Sequence, residues 1–388
     1  MSVTNIPDSN MSTFTQLPKE VKWMILENLP TIDLLIAAHV STEWRFLVKE
    51  IVEIRTDLKK TRSREPKKAR ASERRRKWIK LGGENAFDRD PVQLQFALQS
   101  LVNFKLKDAF LVIDNTEEHD LVLKEMLELF LGAVMAVGKA AIQVNSCDIL
   151  SALFTALGEA SQLNLKRLQI KSHPSDLDLL SDAHFINMSR LTSVNISLRG
   201  TDRSFDATRL LLLLAENPGN LEQLIVENAR MGLEEWKKYW MPQENGTNEL
   251  FGKGAFISSM DEEDVRKMSR FITNLKVFKF GSPDDKYVFE EGSQSALLPS
   301  ILHTLAHSSN CNLSELKMGY VSLWRGFSGT DRETVRAALS SLKNFDFGIF
   351  FFNCSQAAGW RELEEHGIGV KARGRFGNNS SMIQIVKL

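Results

Sequence analysis

Residues 17–47 read LPKEVKWMILENLPTIDLLIAAHVSTEWRFL, and the spacing of their apolar residues decides how the amino-terminal part of the chain folds. Pro18 suits a first helical turn, where its missing N–H costs nothing, and Val21, Ile25 and Leu29 recur behind it at helical spacing. Thr31 and Asp33 can cap a second helix carrying Leu34, Leu35 and Ala38, and Ser41 can cap a third carrying Trp44 and Leu47. The stretch therefore predicts three short helices. A piece of about 40 residues buries too small a fraction of its surface to be comfortable alone. Trp23, Ile25, Leu26, Leu29, Leu34, Leu35, Val40 and Trp44 are also more apolar matter than so small a core encloses. Another protein is expected to cover the remainder.

Leu17-Pro18-x-Glu20, Ile25, Leu29, Asp33-Leu34, Val40-Ser41 and Trp44-Arg45, taken together, resemble the F-box, and the resemblance runs from Leu17 to Leu47 without insertion. It implies docking onto a Skp-type adaptor and through it onto a cullin scaffold, so that whatever the rest of the chain binds is presented for ubiquitin transfer. By position, Leu17, Pro18, Ile25, Leu29, Leu34, Val40 and Trp44 match the family residues that form the motif's core and its adaptor-facing surface. Three residues depart from the family pattern: Lys22 stands where an apolar residue is common, Met24 where a polar one is, and His39 replaces a usually small or apolar residue.

A chain of 388 residues, 43% hydrophobic and 25% charged, has room for one small and one large domain, or three modest ones, and has an ordinary globular composition. Its start has no charged segment leading into an apolar one, and its longest apolar run, Leu210 to Ala215, is far too short to cross a bilayer. The expectation is a protein of the cytoplasm or nucleus with no membrane partner. Cys147, Cys311 and Cys354 show no paired spacing, so they are read as small buried hydrophobes in a reducing compartment rather than as a disulfide framework or zinc site.

The net charge of zero conceals a segregation. Between Arg55 and Lys80 there are 13 Lys or Arg against Asp57, Glu65 and Glu73, a local balance of +10 that leaves −10 for the rest of the chain. Apolar residues are nearly absent from Lys59 to Arg76 and Pro66 interrupts any helix, so the stretch reads as a solvated linker or an extension of the third helix. KKAR followed by RRRK is also clustered suitably for a nuclear-import signal. Direct nucleic-acid contact is disfavoured, because only Trp78 is at hand for base stacking.

Beyond the linker an L-x-x-L-x-L frame recurs. It appears as Leu165/Leu168/Ile170, Leu191/Val194/Ile196, Leu221/Leu224/Val226, Leu275/Phe278/Phe280, Leu313/Leu316/Met318 and Leu342/Phe345/Phe347, with looser copies at Leu106/Ala109/Leu111 and Val137/Ala140/Ile142. Steps between first positions are 31, 28, 26, 30, 54, 38 and 29 residues. The end of each frame alternates as a short strand does. Helical faces lie between: Ile149, Leu150, Leu153, Phe154 and Leu157; then Leu298, Ile301, Leu302 and Leu305; then Val335, Ala338 and Leu339 behind a capping box at Thr330-x-x-Glu333. One such unit cannot enclose its apolar side, but a stack of them makes a continuous core.

This array resembles leucine-rich repeats of the helix-containing type, from about Leu106 to Leu388. The resemblance implies an irregular α/β solenoid or open arc. The family's Asn or Cys three positions after the frame is met only by Asn145, with Asp114 a possible substitute, so the turns are expected to be held in another way. A helix through Trp360 and Leu363 stopping at Gly367, then strands at Ile368 to Ala372 and Met382 to Val386, would close the end of the stack.

The fold class expected is thus α+β multidomain, an N-terminal three-helix F-box followed by an α/β leucine-rich-repeat-like solenoid. The divisions are 1–13 disordered, 14–54 F-box, 55–90 basic linker and 91–388 repeat-like domain. Candidate target-binding residues are the outward strand positions of the frames, among them Arg167, Gln169, Lys171, Asn195, Gln223, Glu227, Lys279 and Lys317. The long step adds a loop at 232–255 with Trp236 and Trp240, which is either a recognition element or one helix of an unrecognised repeat. No nucleophile elbow or CxxC is present, and GIGVKARGRFG lacks the spacing of a phosphate cradle. His303 and His307 have a metal-binding spacing but neither the Glu nor a third ligand. The chain is therefore read as a non-catalytic, cofactor-free adaptor of a ubiquitin ligase with an unknown protein target. The other reading is a scaffold or nucleic-acid-associated protein that uses the F-box or basic linker without ubiquitin transfer.

Overall fold

The computed structural model describes residues 16–57, 78–82, 91–106, 109–114, 120–144, 146–198, 205–227, 229–230, 262–281, 297–322, 331–351, 363–364, 366–376 and 380–388. The cores of the basic stretch, Asn145, Thr330, Cys354, Trp360 and the whole loop at 232–255 with Trp236 and Trp240 lie outside the described residues.

The chain divides into two compact units. The first comprises residues 1–143 and 161–165, and the second 144–160 and 166–388. The first unit opens with helices α1 (Lys19–Glu27), α2 (Thr31–Ala37) and α3 (Thr42–Asp57). Strand β1 (Trp78–Gly82), helix α4 (Pro91–Phe104), β2 (Phe110–Asp114), α5 (Asp120–Glu125), α6 (Leu127–Ala136) and β3 (Lys139–Gln143) follow. Its strands run parallel in the order β1-β2-β3. Two expectations are corrected here. Residues 55–57 still belong to α3, and β1 sits inside the stretch assigned to the linker. The first frame is also displaced, because Leu111 and Ile113, not Ala109 and Leu111, stand opposite Ala140 and Ile142.

The second unit alternates strand and helix. In chain order it carries α7 (Cys147–Glu159), β4 (Arg167–Ser172), α8 (Pro174–Asp178), α9 (Asp182–Met188), β5 (Ser193–Leu198), β6 (Phe205–Asp206), α10 (Thr208–Glu216), β7 (Gln223–Glu227) and β8 (Ala229–Arg230). After these come α11 (Glu262–Asn274), β9 (Val277–Phe280), α12 (Leu297–His307), β10 (Glu315–Ser322), α13 (Asp331–Ser341), β11 (Asn344–Phe351), β12 (Ile368–Phe376) and β13 (Ser380–Lys387). The sheet order is β4-β5-β7-β9-β10-β11-β13-β12, while β6 and β8 form a small parallel pair of their own.

From β4 to β11 every pairing is parallel and joins strands that follow one another in the chain, with β6 and β8 left aside. The frames coincide in register: Leu168, Val194, Leu224, Phe278, Leu316 and Phe345 form one row, and Ile170, Ile196, Val226, Phe280, Met318 and Phe347 the next. All twelve are buried. The helices repeat the order, α7 packing on α9, α9 on α10, α10 on α11, α11 on α12 and α12 on α13. Their apolar faces, such as Ile149, Leu153, Leu157, Ile301, Leu305, Val335 and Leu339, are buried as their spacing predicts.

Backbone bonds where each strand begins join neighbouring strand–helix repeats. The carbonyls of Lys166, Thr192, Glu222, Lys276 and Ser314 each accept two N–H groups from the next unit: Thr192 and Ser193, Glu222 and Gln223, Lys276 and Val277, Ser314 and Glu315, Lys343 and Asn344. Arg190 adds a side-chain tie, donating from Nη1 to the carbonyls of Leu157 and Gly158 and from Nη2 to that of Ala160, so it caps the carbonyl end of α7. At the far end, Gly367 turns at φ +73 into β12, and β13 pairs antiparallel with both β11 and β12.

Candidate functional site

Helix α1 follows Pro18, its N-cap at φ −55 and ψ 149, whose carbonyl accepts Val21 N–H at 3.0 Å and Lys22 N–H at 3.1 Å. Pro30 stands at the N-cap of α2 in the same way, so the expectation that Thr31 is the capping residue is corrected: Thr31 is already helical, and Asp33 lies in the first turn. Ser41 does cap α3, its Oγ accepting Trp44 N–H at 3.2 Å. Leu26, Leu34, Leu35, Leu47, Val48, Ile51 and Val52 of the three helices are buried, with α4 and β1 packed against α2.

The outward side of α1 carries an apolar stripe between charged residues. Val21, Met24 and Ile25 share one stripe at i, i+3 and i+4, Met24 being 62% exposed, and Val40 beyond α2 is 60% exposed. Leu17, Leu29 and Trp44 are half-buried and Pro18 is exposed. Leu34, named among the docking candidates, is fully buried and belongs to the core instead. Phe46, 65% exposed on α3, escaped the sequence reading. Its signal was an aromatic standing off the helix face that Trp44, Leu47 and Ile51 define.

A family model for the F-box domain matches residues 14–53. This segment is an F-box. No curated protein matches the chain.

Two of the F-box's departures now have structural roles. Lys22 turns inward, 3% exposed, and its Nζ donates to both carboxylate oxygens of Glu43 at 2.9 and 2.8 Å, joining α1 to α3. It therefore takes nothing from the outer stripe. His39 ties the F-box to α4. Ser100 Oγ spends its one hydrogen on the Leu35 carbonyl at 2.9 Å, so the single Nε2–H of His39 is shared between the Phe96 carbonyl at 2.8 Å and Ser100 Oγ at 2.9 Å. The His39 and Phe96 rings also meet, with centroids 4.8 Å apart.

The second candidate surface is the other side of the frame strands. Here Arg167, Ser193, Gln223, Val277, Glu315 and Asn344 form one register row, and Gln169, Asn195, Ile225, Lys279, Lys317 and Asp346 the next, with Lys171, Ser197 and Glu227 beyond. All are half-buried or exposed, so the eight described strand candidates share one surface of the sheet. Lys279 Nζ and Lys317 Nζ lie 3.1 and 3.7 Å from Glu315 Oε1, and Ser193 Oγ donates to Gln223 Oε1 at 3.2 Å.

His303 and His307 stack, ring centroids 4.2 Å apart, and His307 Nδ1 lies 2.9 Å from the His303 carbonyl. Among the described residues no group of three or more His, Cys, Asp or Glu is placed to hold a metal, and no helix is long and apolar enough to cross a membrane. Cys147 and Cys311 are half-buried rather than buried, and both are free thiols.

Proposed function

We propose that this chain is the substrate-recognition subunit of an SCF-type ubiquitin ligase. Its F-box docks on a Skp-type adaptor, which sits on a cullin scaffold, and its strand–helix array holds a target protein. An F-box is typical of such adaptors, and the chain has no catalytic part in this reading; ubiquitin transfer is performed by other subunits through proximity.

One observation carries the docking half: Leu26, Leu34, Leu35, Leu47 and Ile51 of the F-box are buried within the chain, yet Val21, Met24, Ile25 and Val40 are left exposed. A patch of that kind on a soluble fold is a contact surface. Leu17, Pro18, Ile25, Leu29, Val40 and Trp44 then form the docking set. The target-binding half rests on register. Consecutive parallel strands with their frames aligned support a divergent leucine-rich-repeat-like α/β solenoid whose outward strand residues meet the target. A cytoplasmic or nuclear location follows from the role.

Co-purification tests it. The full chain is expected to recover a Skp-type adaptor and a cullin together, and Ile25→Asp or Leu29→Glu to lose both while the fold, read by circular dichroism, persists. Retention of adaptor by both variants would refute the docking set.

A further inference from the structure

The outward strand surface changes electrostatic character along the sheet. On β9 to β11 the charges are matched internally: Glu315 Oε1 takes Lys279 at 3.1 Å, Lys317 at 3.7 Å and the Asn344 amide at 3.0 Å, and Gln384 Nε2 donates to Asp346 Oδ1 at 2.5 Å. On β4 and β5 there is no such matching. Arg167 and Lys171 are exposed on either side of Gln169, and neither cation has an ion pair or side-chain hydrogen bond among the described residues. Facing them in register are Ser193, Asn195 and Ser197, which bring hydroxyl and amide groups and no acid.

One atom in this patch lacks a partner. Asn195 Oδ1 is buried and accepts no hydrogen bond, a costly state for an amide oxygen. Asn195 stands in register with Gln169, midway between the two cations. Four residues of extended chain span about 13 Å, the distance that also separates Arg167 from Lys171 along β4.

We propose that the outward face of β4, β5 and β7 binds an extended acidic segment of the target protein. Carboxylates four residues apart meet Arg167 and Lys171, and the half-buried Asn195 side chain turns outward so that its Oδ1 accepts a backbone N–H between them. Arg167 suits a bidentate carboxylate contact and Lys171 a point-charge one. Glu227, exposed and in register with Ser197, bounds the patch with negative charge, so acids on that side of the segment are disfavoured. The proposal rests on the target-binding reading above and names the chemistry of its ligand.

The probe is a fluorescein-labelled twelve-residue peptide of Ser, Thr and Gly with two Glu four residues apart, compared with its Gln and Lys counterparts by anisotropy against the full chain co-expressed with its adaptor. The Glu peptide is expected to bind at least about tenfold more tightly than the Gln peptide, with the margin shrinking as salt rises. Arg167→Glu/Lys171→Glu should transfer the preference to the Lys peptide, and Asn195→Ala should weaken the Glu peptide. Equal binding of the three peptides, or an unaltered preference in the charge-reversed variant, overturns the proposal. Adaptor recovery in the same preparations is read separately. Its loss with peptide selectivity intact removes only the docking reading, and its retention without selectivity removes only the acidic-segment proposal.

Discussion

At the residue scale, Lys22 shows how a charge is tolerated at a position where the F-box pattern prefers an apolar one. Its aliphatic stem fills the gap between α1 and α3, and its ammonium ends on a carboxylate that is itself 52% exposed, so one partner of the pair stays hydrated. Removing one member of a fully buried pair costs about 3–5 kcal/mol, and half-exposure of Glu43 brings the expectation for Glu43→Ala down to about 1–2 kcal/mol. Lys22→Met keeps the stem and deletes the charge, so it should stay within about 1 kcal/mol of the parent. Urea unfolding followed by circular dichroism distinguishes them; an equal loss in both variants would mean that the Lys22–Glu43 attraction itself, not the buried ammonium that Glu43→Ala leaves behind, governs the energy. Little of this was legible beforehand. The sequence placed a lysine on the wrong face of α1, but only tertiary packing puts Glu43, 21 residues away, where both its oxygens can accept. His39 is the same case, since Ser100, 61 residues downstream, is what makes the histidine useful.

At the element scale, alternation separates positions that hold the fold from positions free to serve function. Phe278 is fully buried on β9 while its neighbour Lys279 is half-exposed on the other side. Phe278→Ala should therefore cost about 3–5 kcal/mol, and Lys279→Ala less than about 1 kcal/mol because its ion pair is partly hydrated. Thermal unfolding of the two variants checks the contrast, and similar melting points would place β9 on the wrong register. Those six aligned frames were legible because each supplies three apolar residues at fixed offsets, and the loop lengths between them do not disturb the pairing. The earliest copy failed for a physical reason: Ala109, Leu111 and Ile113 alternate alike, and a slip of two residues keeps every side chain on its own side, so periodicity cannot fix the register. Strand β1 was missed because five residues at the end of a basic run carry too short a pattern to stand out from the charge around them.

At the scale of the whole second unit, a stack of parallel strands has an end to protect. An open β11 would offer unpaired N–H and C=O groups to any neighbouring chain, and its buried Phe345 and Phe347 would lose the cover of the next strand. The hairpin of β12 and β13 resolves this by reversing direction: β13 lies antiparallel on β11 from Asp346↔Val386 to Phe351↔Ser381, and puts Ile383 and Ile385 into the core. Gln384 alternates to the other side, where it is buried but bonded to Asp346, so even the polar residue of the cap is satisfied. Deleting residues 363–388 therefore uncovers a full strand edge together with an apolar layer. The truncated chain is expected to form soluble aggregates at micromolar concentration, seen as an early-eluting peak by size-exclusion chromatography with light scattering. Adaptor recovery should survive in whatever monomer remains, because the F-box is complete within the first unit. Replacing Ile385 by Asp, which keeps the hairpin's length but buries a charge, should give the same shift toward aggregates. A monodisperse, fully folded truncation would show that the stack ends itself at β11 and that the hairpin serves something other than closure.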